Sequence, residues 1–360
     1  MSNFTIDSIS NPRNESMNKT KDENICKSTK EDLNQLPMIE VRDLTKTFTI
    51  KSKLLGVPEG QVHAVNGINF HVNEGETLGL VGESGSGKST TGRLMLRLLE
   101  PTSGKILLKG QDISQIKNRD FRRMRKDLQI VFQNPYSALD YKMTIEDILI
   151  QPLQIFKVVS PLMYKKEVAR LLNLVGLSSE DAKKLPHEFS GGQRQRIGIA
   201  RALATRPKFV VCDEPVSALD VSVQSQILNL TMDLQEEFGL SYLFIAHDLS
   251  VIRHVSHRVA VMYLGQIVEM GPVDDLFNSP LHPYTKALMS AAPLPDPSKT
   301  PNRIAIKGEI PSAMQIPKGC PFHTRCAHVM PICSDVVPET ITIGEGRTIA
   351  CHLYRQEVQL

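Results

Sequence analysis

Gly82 Glu83 Ser84 Gly85 Ser86 Gly87 Lys88 Ser89 Thr90 follows directly on the apolar segment Thr77 Leu78 Gly79 Leu80 Val81. The pattern is G-x-x-x-x-G-K-S, a strand that runs into a glycine-rich loop and then a helix. Glycines at this spacing let successive backbone N–H groups turn inward around phosphates, and the following helix presents its positive end to them. Lys88 is placed to reach β- and γ-phosphates, and Ser89 to offer its hydroxyl to Mg²⁺. Thr90, Thr91, Arg93, Leu94, Met95 and Leu96 sustain the helix. The alternative is a chance Gly/Ser loop, a risk every short motif carries, and the remainder of the chain bears on it.

With 41% hydrophobic and 22% charged side chains, the 360 residues have the composition of an ordinary globular protein with room for two or three domains. The formal charge of +3, from 42 Lys+Arg against 39 Asp+Glu, is small and interspersed. It points away from nucleic acid and from a polybasic membrane patch, so any polyphosphate binding must be local. The longest apolar runs, such as Tyr242 to Ala246 and Val259 to Leu264, fall far short of the roughly 18 residues of a membrane helix. A chain of this kind working at a membrane needs a partner that spans it. No N-terminal stretch joins a basic flank to an apolar region, so export is not expected, and the six cysteines read as reduced thiols.

Residues 1–37 are rich in Ser, Asn, Lys, Asp and Glu and are expected to be a disordered tail, with Cys26 an isolated thiol in it. A β-rich lead-in begins at Met38: Ile39 to Val41, a turn at Asp43, Thr45 to Ile50, an interruption at Gly56, Pro58 and Gly60, then Val62 to Val72. Phe48 has two readings, a ring stacked on a nucleobase or a core side chain. Ile106 to Leu108 and Leu128 to Phe132 read as further strands, and Arg119 to Asp127 as a basic helix. From Gln133 to about Glu188 helical spacing takes over, with Val168, Leu171, Leu172 and Val175 on one face.

Ser190 Gly191 Gly192 Gln193 opens a helix over Arg194 to Leu203, either a second anion site without a lysine or a serine cap. Phe209 Val210 Val211 Cys212 is an unbroken apolar run, as in a strand buried on both faces of a parallel sheet, and it ends in Asp213 Glu214. Two adjacent buried carboxylates are costly unless paired or bound to metal. Ligands of open α/β sheets bind beyond the carboxyl ends of the strands, which puts Asp213 beside the Mg²⁺ and Glu214 beside the γ-phosphate. After a helix over Val221 to Phe238, the strand Ser241 to Ala246 delivers His247, a structural histidine or a functional one.

In this order the phosphate loop, Gln133, Ser190 to Gln193, Asp213 with Glu214, and His247 resemble the ATP-binding subunit of an ABC transporter, over about Met38 to Ala291. The most specific element is Phe189 to Gln193 followed by Arg194, which looks like the ABC signature. The resemblance implies an α/β P-loop ATPase core over 38–291, with a helical subdomain at about 133–204. It implies a second ATPase subunit, identical or homologous, so that two chains sandwich two ATP molecules, Ser190, Gly191 and Gly192 of one closing on the loop of the other. It further implies that Gln133 senses Mg²⁺ and the membrane partner, Glu214 activates the attacking water, His247 meets the γ-phosphate, Asp220 carries crosstalk across the dimer, and Phe48 stacks on adenine. Its partners would be two transmembrane permease subunits and, indirectly, an external solute-binding protein, with this chain peripheral on the cytoplasmic face of the membrane.

His282 Pro283 Tyr284 Thr285, a linker with Pro293, Pro295, Pro297 and Pro301, and Gly319 Cys320 Pro321 Phe322 His323 Thr324 Arg325 Cys326 resemble the C-terminal extension of dipeptide and oligopeptide importer ATPases. This extension, 292–360, implies peptide import, with glutathione or a metal chelate as the alternative solute. Cys320, Cys326, Cys333 and Cys351 are separated by five, six and seventeen residues, and suggest a Cys₄ site for a [4Fe–4S] cluster or Zn²⁺. The lack of a C-x-x-C pair, and family members that carry a four-iron cluster here, favour iron; unligated buried thiols are the alternative. Far in sequence from Lys88 and Glu214, the site is expected to order the tail without touching hydrolysis. Two rival functions are opposed by the sequence. An ABC-type translation or repair factor acting on nucleic acid would have a second phosphate loop or long heptads, and a catalytically silent subunit would not keep Glu214 and Ser190 Gly191 Gly192 intact.

Overall fold

The computed structural model describes residues 36–51, 58–134, 139–291, 304–344 and 346–355, and from Pro37 onward these belong to one unit. The N-terminal tail up to residue 35 with Cys26, Gly56, and the prolines at 293, 295, 297 and 301 lie outside the described residues.

Among the described residues the strands form two sheets, one of four strands and one of eight. In the smaller sheet, β1 (Ile39–Lys51) turns Ile39 and Val41 inward and leaves Arg42 exposed. It pairs antiparallel with β2 (Pro58–Val72) on one side and β4 (Ser103–Leu108) on the other, and β5 (Gln111–Asp112) completes the order β2-β1-β4-β5. The turn expected at Asp43 is instead a bulge inside one long strand. Asp43 has φ +47°, and the β1–β2 register shifts between Val41 and Leu44. Asn69 holds the bulge: its Oδ1 accepts from the Asp43 N–H at 2.8 Å, and its Nδ2 donates to Asp43 Oδ1 at 2.9 Å. A short polar side chain that bonds locally is what tolerates this backbone region.

The larger sheet has a parallel centre of β3 (Thr77–Val81), β6 (Leu128–Val131), β7 (Phe209–Asp213), β8 (Ser241–Ile245) and β9 (Arg258–Tyr263), in the order β9-β3-β8-β7-β6. β3, β7 and β8 are buried at every residue, which is why they read as continuous apolar runs. Alternate residues feed two cores on opposite faces: Val210, Cys212, Tyr242 and Phe244 face one, Phe209, Val211, Leu243 and Ile245 the other. β10 (Gln266–Pro272) turns back antiparallel on β9, and β12 (Thr348–Ile349) and β11 (Ile341–Thr342) from the C-terminal extension continue that edge.

Helix α1 (Lys88–Met95) follows the loop after β3, and α2 (Asn118–Met124) precedes β6. Between β6 and β7 stand α3 (Ile145–Phe156), α4 (Tyr164–Leu174) and α5 (Gly191–Leu203). They bury Ile148, Leu149, Leu153, Val168, Leu171, Leu172 and Ile197 against one another. Thr144 starts α3 by accepting from the Asp147 N–H, and Lys157, in left-handed conformation, ends it. Then come α6 (Val221–Phe238), α7 (Leu249–Val255), α8 (Val273–Asn278) and α9 (Pro283–Ser290). No helix among the described residues is long and apolar enough to cross a membrane.

The register sets the functional edge. Leu80 and Asp213 both pair with Ile245, so the residues that follow β3, β7 and β8 emerge side by side at one end of the sheet.

Candidate functional site

At that edge the chain after β3 curls into residues 82–87. Gly82 has φ +152° and Gly87 φ +106°, and a Cβ at either would run into a backbone carbonyl, that of Met262 or of Ala64. Only glycine fits both positions. Gly87 stands at the N-cap of α1, so Lys88 is the first helical residue. Its buried ammonium donates to the carbonyls of Gly82 at 2.8 Å and Glu83 at 2.9 Å. Burial lowers the Lys88 pKa, against the opposing pull of Glu214, Asp213 and Glu83. The charge is thus held over the loop by acceptors that phosphate oxygens outmatch in strength.

Ser89 Oγ donates to Asp213 Oδ1 at 2.7 Å. Asp213 is buried, which raises its pKa, and the Ser89 hydrogen bond works in the other direction. A hydroxyl and a carboxylate at a phosphate loop form a hard-oxygen donor set that fits Mg²⁺, which takes one or two protein oxygens plus substrate phosphates. Next along the chain, Glu214 adopts φ +49°, a conformation that costs a non-glycine residue energy. It is fixed by its N–H donating to the Ile245 carbonyl at 2.9 Å and its own carbonyl accepting from Ser217 Oγ at 3.1 Å. Glu214 Oε2 accepts from Gln133 Nε2 at 2.7 Å, and His247 Nδ1 lies 3.4 Å away.

Lys88, Ser89, Gln133, Glu214 and His247 line one cleft of about 470 Å³ together with Ser84, Gly85, Thr90, Val62 and Ala64 of β2 and Ala313 of the C-terminal extension, and Asp213 is joined to it through Ser89. The loop amides and the N-terminus of α1 offer a surface on which a polyphosphate fits.

Other expected site residues lie apart. Phe48 is exposed on β1, paired in register with Val62 and with the Lys46 ammonium 5.0 Å from its ring centroid. It is not a core side chain, and it does not line the cleft. Ser190 and Gln193 form a reciprocal cap on α5: the Gln193 N–H donates to Ser190 Oγ at 3.3 Å, and the Ser190 N–H to Gln193 Oε1 at 2.9 Å. Gly191 begins α5 and Gly192 packs against Val223 of α6. Asp220 precedes α6 without capping it through its side chain. None of these five lines the cleft of its own chain.

Tyr284 and Arg325 were missed as site residues. The Glu83 N–H donates to Tyr284 Oη at 2.9 Å, and Arg325 grips the Glu83 carboxylate with both terminal nitrogens, at 2.7 and 3.2 Å. The extension that carries the cysteines reaches this cleft through other residues: it supplies Ala313 to the cleft wall and Arg325 to the loop. Sequence distance hid this, because the extension returns along β10 and stacks Phe322 edge-on to Tyr263, ring centroids 5.2 Å apart.

Cys320 and Cys333 are buried and bonded through backbone, Cys320 N–H to the Cys333 carbonyl at 2.8 Å, while Cys326 and Cys351 are partly exposed. Burial pushes Cys320 and Cys351 up to about 11, and the neighbouring thiols add to the rise. The four are gathered in one region, yet among the described residues no three or more His, Cys, Asp or Glu side chains converge as metal ligands.

The family model for ABC transporters matches residues 65–217, and that for the oligopeptide/dipeptide transporter C-terminal region matches residues 268–333. The chain is 50% identical over 324 residues to the oligopeptide transport ATP-binding protein AppF of Bacillus subtilis, covering 89% of this chain and 98% of AppF. It is 46% identical over 315 residues to the di/tripeptide transport ATP-binding protein DppF of Pseudomonas aeruginosa, covering 88% of this chain and 97% of DppF. The dimeric structure of a bacterial ABC transporter cassette aligns with a TM-score of 0.58 at 28% identity, over 66% of this chain and 99% of the cassette.

Proposed function

Since the chain belongs to the ATP-binding subunits of ABC transporters, of the oligopeptide and dipeptide type, we propose that it hydrolyses ATP to drive peptide import through partner membrane permeases. The observation that carries the reading is the convergence of Lys88, Ser89 with Asp213, and Glu214 with Gln133 and His247 on one phosphate loop. The loop N–H groups, Lys88 and the N-terminus of α1 hold the phosphates. Ser89 and Asp213 would hold Mg²⁺, which when bound spreads the charge developing on the β- and γ-phosphates. Glu214 takes a proton from the attacking water as that oxygen bonds to the γ-phosphorus and ADP leaves; Gln133 fixes the carboxylate for this and His247 stands by the γ-phosphate. Ser190, Gly191, Gly192 and Gln193 act on the site of a second ATPase subunit, which accords with their absence from the cleft of their own chain. Asp220 lies at that junction and Phe48 at the adenine end. In this assembly the chain sits on the cytoplasmic face of two permease subunits served by an external solute-binding protein.

Titration of the full chain with Mg-ATP tests this, with Lys88→Ala as the partner variant. Binding by the wild type and its loss in the variant are expected. A wild-type chain that binds no nucleotide, or a variant that binds as well, overturns the reading.

For the four cysteines, we infer a [4Fe–4S] cluster, with Zn²⁺ as the alternative, from donor type alone: four soft ligands from one short segment, gathered in one region. Anaerobically purified chain should then contain about four irons, or one zinc, per molecule. Metal-free protein with all four thiols reactive removes the cluster from the account.

A further inference from the structure

The phosphate loop carries an acid. Glu83 follows Gly82 directly, its N–H is held by Tyr284 Oη at 2.9 Å, and its carbonyl accepts from the Lys88 ammonium at 2.9 Å. A carboxylate at this place repels a polyphosphate unless its charge is cancelled. The cancelling group comes from 242 positions away: Arg325 meets Glu83 in a two-pronged pair at 2.7 and 3.2 Å, and its side chain is only 7% exposed. A fork of this kind is both strong and directional. Arg325 is set in place by its own surroundings. Its Nη1 lies 3.4 Å from Tyr263 Oη, and Phe322, three residues earlier, packs on the rings of Tyr263 and Tyr284. Nearby, the Ala313 carbonyl accepts from the His63 N–H at 3.0 Å, so the extension is fastened to β2 as well as to the loop.

We propose that Arg325 is the counter-ion of the phosphate loop: a positioning residue that draws the Glu83 carboxylate aside and neutralises it, so that ATP affinity depends on the docked C-terminal extension. This rests on the reading of the cleft as an ATP site. It predicts an asymmetry that a purely architectural contact would lack. Removing the cation exposes the acid and weakens ATP, whereas removing both charges does not.

The experiment titrates a fluorescent ATP analogue with Mg²⁺ into the full chain, as wild type, Arg325→Gln, Glu83→Gln and the double variant. Arg325→Gln should raise Kd roughly tenfold, the scale of couplings between protein sites. Glu83→Gln should bind at least as well as wild type, and the double variant should match Glu83→Gln within about twofold. Wild-type affinity in Arg325→Gln overturns the proposal, and so does a loss that Glu83→Gln fails to rescue. Should Arg325→Gln not fold, Arg325→Lys keeps the charge but loses the two-pronged fork, so it should weaken ATP binding by less than about tenfold and Glu83→Gln should restore the loss; a larger loss, or one that Glu83→Gln fails to rescue, overturns the counter-ion role. Failure of the ATP reading looks different: wild type and Lys88→Ala would then be alike in binding nothing.

Discussion

Gln133 and Glu214, 81 positions apart, share a 2.7 Å hydrogen bond from Nε2 to Oε2, and His247 Nδ1 stands 3.4 Å from that same oxygen. One carboxylate oxygen is thus oriented by an amide, on a residue that lines the cleft. Glu214→Gln keeps the shape and removes the base. Phosphate release should fall at least a hundredfold, the lower range for loss of a positioned general base, while ATP still binds. Measuring both on one preparation settles it, and turnover at the wild-type rate would remove Glu214 from the chemistry.

Ser89 and Asp213 make the second pair. Without the Ser89 hydroxyl the buried Asp213 loses a donor that opposes the burial-driven rise of its pKa, so its anionic form becomes harder to keep. Ser89→Ala should therefore need more Mg²⁺ to reach half-maximal ATP binding, and more still as the pH is lowered. A Mg²⁺ titration unaffected by the substitution would place the ion elsewhere.

The parallel centre of the fold was legible because its strands are buried on both faces and so spell out apolar runs, as in Phe209 to Cys212. The chemistry at their ends was legible because loop, acids and histidine follow those runs at once. What could not be read lies where the chain folds back on itself. β9 and β10 are ordinary apolar stretches until the turn at Leu264, φ +42°, and Gly265, φ +80°, pairs them. Arg325 sits among cysteines that draw attention to metal, and nothing in its spacing points to Glu83. Asp43 was misread because a bulge and a turn use the same residue types.

Glu269 has no exposed side-chain surface and is met by Arg347 Nη2 at 2.6 Å and by the N–H groups of Leu281 and His282, each at 2.9 Å. The pair ties β12 and the start of α9 to β10. Arg347→Met leaves the carboxylate buried without its cation, so unfolding free energy should drop by about 3–5 kcal/mol. Amide exchange should also quicken at Ile349, whose strand pairs with Glu269. Denaturant unfolding checks the first effect, and a change under about 1 kcal/mol would mean that the two backbone donors suffice.

His282 caps α9 through Nδ1, which accepts from the Tyr284 N–H at 3.0 Å, and burial pushes its pKa down from the usual 6.5 to about 3. The unfolded chain protonates this histidine below about pH 6.5, but the folded chain stays neutral until about pH 3. Between those values the unfolded state binds the extra proton, so stability falls as the pH falls, by about 1.4 kcal/mol per pH unit. His282→Asn retains a side chain able to cap the helix and carries no titrating ring. It should be less stable than wild type at pH 7.5, having lost a ring packed near Phe322, but the gap should narrow by about 1.4 kcal/mol at pH 5.5. Urea midpoints at the two pH values give the comparison. A gap that stays constant would show that His282 takes up its proton in the folded chain as readily as in the unfolded one, and that the cap is accessible to solvent.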